Sequence, residues 1–125
     1  MVSLTLSRLG LTDKDVLHLP GNLGQHMDTL GVAFNELTDI GLTALLTLAP
    51  ALALLDLESN EIEFAPTSAG VDMLLRAERR LFHLDTSCNR FTTHSYIQFL
   101  WMTVRSRLEI LDVVTSEQDT VQAPA

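Results

Sequence analysis

A short apolar phrase recurs along this chain at almost constant spacing, and nothing else in the sequence constrains the fold as tightly. In LALLDLESNEI, apolar residues stand at Leu52, Leu55, Leu57 and Ile62, with Asn60 between the last two. MDTLGVAFNEL repeats the spacing at Met27, Leu30, Val32, Asn35 and Leu37, and LFHLDTSCNRF repeats it at Leu81, Leu84, Thr86, Asn89 and Phe91. Weaker copies flank these. Met1, Leu4, Leu6 and Leu11 keep the register with Leu9 in the asparagine position. Leu108, Leu111 and Val113 keep its front half, with Ser116 and Gln118 in the later positions. The units therefore begin at 1, 27, 52, 81 and 108, with periods of 26, 25, 29 and 27. A unit of this size cannot bury its apolar face alone, so it must stack on its neighbours to form one continuous core.

The phrase resembles L-x-x-L-x-L-x-x-N-x-L of the leucine-rich-repeat family, in particular the intracellular, ribonuclease-inhibitor-like repeats. That resemblance implies an α/β solenoid over residues 1–115, with a short curved parallel sheet on the concave side and helices on the convex side. Strands are expected near 2–6, 28–33, 53–58, 82–87 and 109–114, and the polar stretch 116–125 is expected to be a disordered C-terminal tail. The resemblance also implies that Asn35, Asn60 and Asn89 turn inward after their strands and bond to backbone in adjacent loops, a structural role and not a catalytic one.

Between the strands the sequence carries helix signals. Thr12, Thr38, one of Thr67 and Ser68, and one of Thr92 and Thr93 are candidate N-caps, with Asp15 and Asp39 in first turns, where the helix end is positive. Val16, Leu17 and Leu19 follow the first cap, but Pro20 and Gly21 end that segment early, leaving Leu23 to fill the gap behind it. Leu42, Leu45, Leu46 and Ala49 have helical spacing up to Pro50. Val71, Leu74 and Leu75 mark the third helix. The fourth is expected to turn Tyr96, Phe99, Leu100 and Val104 inward, with Trp101 and Met102 off that stripe.

Bulk properties narrow the setting. The net charge of -8 disfavours a nucleic-acid backbone as main partner and favours a basic protein. The single cysteine, Cys88, permits no internal disulfide, and no N-x-[ST] acceptor is present, as expected of an intracellular protein. The opening MVSLTLSRLGL lacks the basic region of a signal peptide. The most apolar run, 42–57, is broken by Pro50 and falls short of the roughly 17–25 residues of a membrane span. A cytoplasmic or cytoskeletal location with no membrane contact follows as an expectation. Charge is split along the chain. Residues 1–63 hold nine carboxylates against Arg8 and Lys14, whereas residues 76–107 hold six arginines against Glu78 and Asp85. Arg76, Arg79, Arg80, Arg105 and Arg107 form a weak patch without the aromatic interleaving of a nucleic-acid platform.

The strand positions that alternate with the buried leucines should face away from the helices. In that register Asp56, Asp85 and Asp112 form a ladder of like charge, with Glu58 beside it and Leu54, Phe82 and Ile110 as apolar flanks. These seven residues are the candidate protein-binding site. Enzyme chemistry is not expected. His83, Asp85 and Ser87 have the residue types of a hydrolase triad. They alternate along one strand at about 6.6 Å, however, with the aspartate between the other two, whereas a triad needs direct hydrogen bonds. No C-x-x-C or H-E-x-x-H spacing and no phosphate-binding glycine loop is present, so no metal or cofactor is predicted. The expected function is a protein-interaction module or scaffold presenting an acidic concave face to a basic peptide or protein. The alternative is a structural subunit of a larger cytoskeletal or ribonucleoprotein assembly whose open repeat ends pack on neighbours.

Overall fold

Each leucine phrase becomes one short strand, and each intervening segment one helix. The computed structural model describes residues 2–76, 79–104 and 106–113. In chain order the elements are β1 (Ser3–Thr5), α1 (Asp13–Leu17), β2 (Thr29–Gly31), α2 (Asp39–Leu48), β3 (Leu54–Asp56), α3 (Ala69–Leu74), β4 (His83–Asp85), α4 (Thr93–Thr103) and β5 (Ile110–Asp112). The strands form one parallel sheet in the order β1-β2-β3-β4-β5. The result is a repeat-like α/β architecture, a parallel sheet flanked by helices. Arg105 and the expected tail 116–125 lie outside the described residues.

The register follows the sequence phrase residue for residue. Leu4, Leu30, Leu55, Leu84 and Leu111 are successive partners across the sheet. Leu30, Leu55 and Leu84 are buried, while Leu4 and Leu111, each with a neighbouring strand on one side, are half-buried. The strands are shorter than expected because the chain leaves the extended region soon after them. Arg8, Phe34, Ser59 and Cys88, one residue before each asparagine position, have φ of 60°, 58°, 55° and 56°. This left-handed turn ends each strand and swings the next residue inward.

Asn35, Asn60 and Asn89 then tie each unit to the one before it. Asn60 Oδ1 accepts from Leu37 N at 3.0 Å, and its Nδ2 donates to the carbonyls of Val32, Leu57 and Glu58. Asn35 accepts from Leu9 N and Leu11 N and donates to Leu6 O. Asn89 accepts from Ile62 N and donates to Leu57 O. These residues thus have the expected inward, backbone-bonding role.

The expected caps form at Thr12, Thr38, Ser68 and Thr92. At the first, Thr12 and Asp15 bond reciprocally, and bonds from the Thr12 backbone and hydroxyl hold the Asp15 carboxyl below its usual value. The first helical residues do more than complement the dipole. Asp13 accepts from the Thr38 backbone and hydroxyl, and Asp39 accepts from Glu63 N and Ala65 N, so each links its helix to the following unit.

Two packing expectations are corrected. Leu23 is exposed, and the buried residue of that segment is Gly24, packed against the C-terminal end of α2. A Cβ there would lie 2.7 Å from Leu48 O, so the close approach requires glycine. In α4 the inner face is Ser95, Phe99 and Met102, with Tyr96 at its edge, while Leu100 and Val104 are exposed. Spacing alone left the phase of that helix open, and the long connector between β3 and α3 decides it. Phe64, in that connector, is fully buried and stacks on Phe91 with centroids 4.6 Å apart, while Phe99 meets Phe64 edge-on at 5.2 Å. Phe99 is therefore drawn to the centre of the interface. Among the described residues, every buried side-chain polar atom has a partner.

Candidate functional site

With Leu30, Leu55 and Leu84 packed among the helices, the residues on either side of them face away from the core. The register sets Thr5, Gly31, Asp56, Asp85 and Asp112 in one column, and Ser3, Thr29, Leu54, His83 and Ile110 in the next. The sequence therefore placed its three aspartates on one line correctly. Parallel pairing spaces that line at roughly 4.8 Å per strand.

The aspartates are not equivalent. Asp56 Oδ1 accepts from Glu58 N at 3.0 Å and Asp85 Oδ1 accepts from Ser87 N at 2.9 Å. Each of these carboxylates thus fastens the turn that follows its own strand and keeps a second oxygen with acceptor capacity. Asp112 instead meets His83, Nε2 to Oδ2 at 2.8 Å. His83 stands in the apolar column between Leu54 and Ile110. It is a site residue beyond the seven expected, and its position in the column next to the aspartates is the sequence signal for it. It breaks the apolar flank in two and gives the ladder a partner of its own at one end.

Asp56, Glu58 and Asp85 draw together so that one carboxylate oxygen from each lies within 4.8 Å of the others. Calcium takes about 6–8 oxygens and magnesium about six, so one oxygen from each of the three carboxylates fills half a coordination shell or less. The same group suits a guanidinium or ammonium, which needs only charge and acceptors. Burial, reinforced by Asp85 and Asp56, raises the Glu58 carboxyl above its usual value of 4.5, while Arg8 pulls the other way.

This shift has a definite sign. Because the folded state holds the Glu58 proton to higher pH than the unfolded state, its favourable contribution is present below the ordinary carboxylate range. It is lost as pH rises through the folded value. Glu58→Gln is therefore expected to raise the urea midpoint at neutral pH and to lose that advantage in acid. An advantage that stays constant with pH would show that Glu58 carries no electrostatic stress.

The remaining site residues fall as follows. Leu54 is partly buried and shares a column with the exposed Ile110, while Phe82 is exposed just ahead of β4. Phe34, also exposed, already carries the Arg8 guanidinium 4.0 Å above its ring. The arginine patch is thinner than its composition implied. Arg76 pairs with Asp72 at 3.1 Å, Arg79 donates to Leu46 O at 2.9 Å, and Arg80 and Arg107 are exposed. Among the described residues, no helix is long and apolar enough to cross a membrane. No family model, curated protein or solved structure matches this chain.

Proposed function

We propose that the chain is a cytoplasmic leucine-rich-repeat solenoid whose open sheet face docks a basic peptide or protein segment. The observation that carries this reading is the line of Asp56, Asp85 and Asp112, one residue from each of three adjacent strands, with Glu58 crowded against it. Like charges so placed repel one another, and an incoming cation relieves that repulsion. Leu54, Phe82 and Ile110 add apolar area that can be dehydrated on contact, which charge alone does not supply. The asparagine links between units support the repeat assignment, since they hold the strands that carry the carboxylates in fixed register.

Complementary charge sets the encounter rate and orientation, and the apolar flank supplies much of the affinity. Replacing Asp56, Asp85 and Asp112 together with asparagine should slow association more than it speeds dissociation. Phe82→Ala should mainly speed dissociation. Affinity should fall as salt rises, because the carboxylates are accessible to screening ions. The test is a pull-down from native extract comparing wild type with the triple variant, followed by binding kinetics on the recovered partner. If the triple variant and Phe82→Ala both bind as wild type does, the open face is not the interface.

A further inference from the structure

The central column of the open sheet face runs Thr5, Gly31, Asp56, Asp85, Asp112, and one of these five positions carries no side chain. Glycine weakens a strand, because it loses more backbone freedom on folding and packs nothing. A left-handed backbone or the close approach of a neighbouring group can require it. Neither operates at Gly31. Its φ is not positive, and its carbonyl accepts from Leu6 N at 2.7 Å in regular pairing with β1. A Cβ added there would meet only the Thr5 side chain, at 3.7 Å, an ordinary contact. Gly24, Gly41 and Gly70 differ, since a Cβ at any of them would come under 3.0 Å from a neighbouring atom. The equivalent position of the preceding unit is Thr5, so the fold accepts a branched side chain in this column. Gly31 therefore leaves a hollow beside Asp56 that the fold itself does not need. A strand glycine of this kind marks a place where another group comes close.

The charges along the column say what that group is. Asp56 and Asp85 each spend one oxygen on the following turn, and among the described residues neither forms an ion pair. One oxygen from each, with one from Glu58, lies within 4.8 Å of the others. A planar guanidinium with five N–H donors can bond to two carboxylates on adjacent strands at once, whereas an ammonium acts as a compact point charge. The stem that brings the guanidinium in must lie along the column on one side or the other. Toward β5 the way is taken by Asp112, already bonded to His83 at 2.8 Å. Toward β1 it crosses Gly31, where nothing projects. We propose, resting on the docking reading above, that Gly31 keeps the face open for one arginine side chain of the bound segment. Its stem lies over Gly31, as long cationic side chains lie along a surface with the charged head beyond, and its guanidinium bridges Asp56 and Asp85.

The test is a nuclear magnetic resonance titration of the full 125-residue chain with the blocked peptide acetyl-Gly-Arg-Gly-amide and with its lysine counterpart. The arginine peptide should give saturable shifts at the amides of Gly31, Asp56 and Asp85 and bind about threefold or more tighter than the lysine peptide. Gly31→Thr, which copies Thr5, should weaken the arginine peptide about tenfold, and Gly31→Ala should weaken it less. The urea midpoint of both variants should stay level or rise, because the added atoms have room and the unfolded chain loses freedom. No saturable shift in wild type, undiminished binding by Gly31→Thr, equal binding of the lysine peptide, or a lowered urea midpoint would each overturn the proposal. The partner recovered by pull-down separates this outcome from failure of the docking face. Loss of binding in the triple asparagine variant but not in Gly31→Thr would leave the docking face and remove the arginine seat, whereas loss in neither would remove both.

Discussion

Phe64→Ala should cost about 3–5 kcal/mol of stability, the range for truncating a fully buried aromatic. Phe64 has no exposed surface, and its ring stacks on Phe91 at an interplanar angle of 10° while meeting Phe99 edge-on. Phe91 in turn meets Phe99 and Tyr96 edge-on at 5.4 Å and 5.6 Å. Removing the first ring therefore unseats a cluster that joins the unit beginning at Leu52 to the unit beginning at Leu81. Its backbone adds to the case. Phe64 holds φ of 51°, a conformation that an L-residue adopts only when its surroundings compel it, and here the buried ring supplies the compulsion. Alanine would keep the backbone strain and lose the ring contacts. Because coupling in a stack of repeats is between nearest neighbours, the damage should also be local. Trp101 is the only tryptophan and stands on α4, next in line after the broken contact. Its fluorescence should change at lower urea than the far-UV signal in the variant, whereas the two should coincide in wild type. A loss below about 1 kcal/mol, with coincident transitions, would show that the connector is not pinned by this ring.

Asn60→Ala should destabilise by about 1–3 kcal/mol, toward the upper end, because it deprives several buried groups at once. Leu37 N–H would lose its acceptor, and the carbonyls of Val32, Leu57 and Glu58 would lose a shared donor. Two of those groups belong to the preceding unit, so the substitution loosens both a turn and a junction. Asn60→Asp separates shape from chemistry. The aspartate keeps the volume and the acceptor for Leu37 N–H but turns a carboxylate oxygen toward three carbonyl oxygens. At neutral pH it should be at least as damaging as alanine, and in acid, where the carboxyl can donate, it should recover part of the loss. Urea unfolding of wild type and both variants at two pH values checks this. A change below about 0.5 kcal/mol in the alanine variant would show the amide to be dispensable. The first unit shows how the link depends on a predecessor. Leu9 occupies the asparagine position there and is exposed, its backbone N–H serving only as a donor to Asn35.

The sequence by itself determined the frame: the repeat spacing, the strand register, the buried leucine column, the asparagine links and the first two helix caps. The physical reason is that these features rest on short-range periodicity. Side chains alternate along a strand, caps act within three residues, and a repeated phrase repeats its partners in register, so knowing one pairing gives all of them. The line of Asp56, Asp85 and Asp112 was legible on the same ground, being a statement about register alone. Tertiary structure decided whatever depends on filling space between units. Phe64 lies in a connector without periodicity, and its burial follows from the room that the longest unit, 52–80, leaves against Phe91 and Phe99. Gly24 rather than Leu23 is buried, against the end of α2, because Leu48 O comes too close for a side chain. Helical spacing named an apolar stripe on α4 but could not choose its phase, since Leu100, Trp101 and Val104 are as apolar as Phe99 and Met102. His83 reached Asp112 across a strand, a contact set by side-chain reach and not by the repeat. Local pattern fixes which residues are neighbours along and across the strands, and only packing in three dimensions settles which of several equally apolar or equally polar candidates fills a given space.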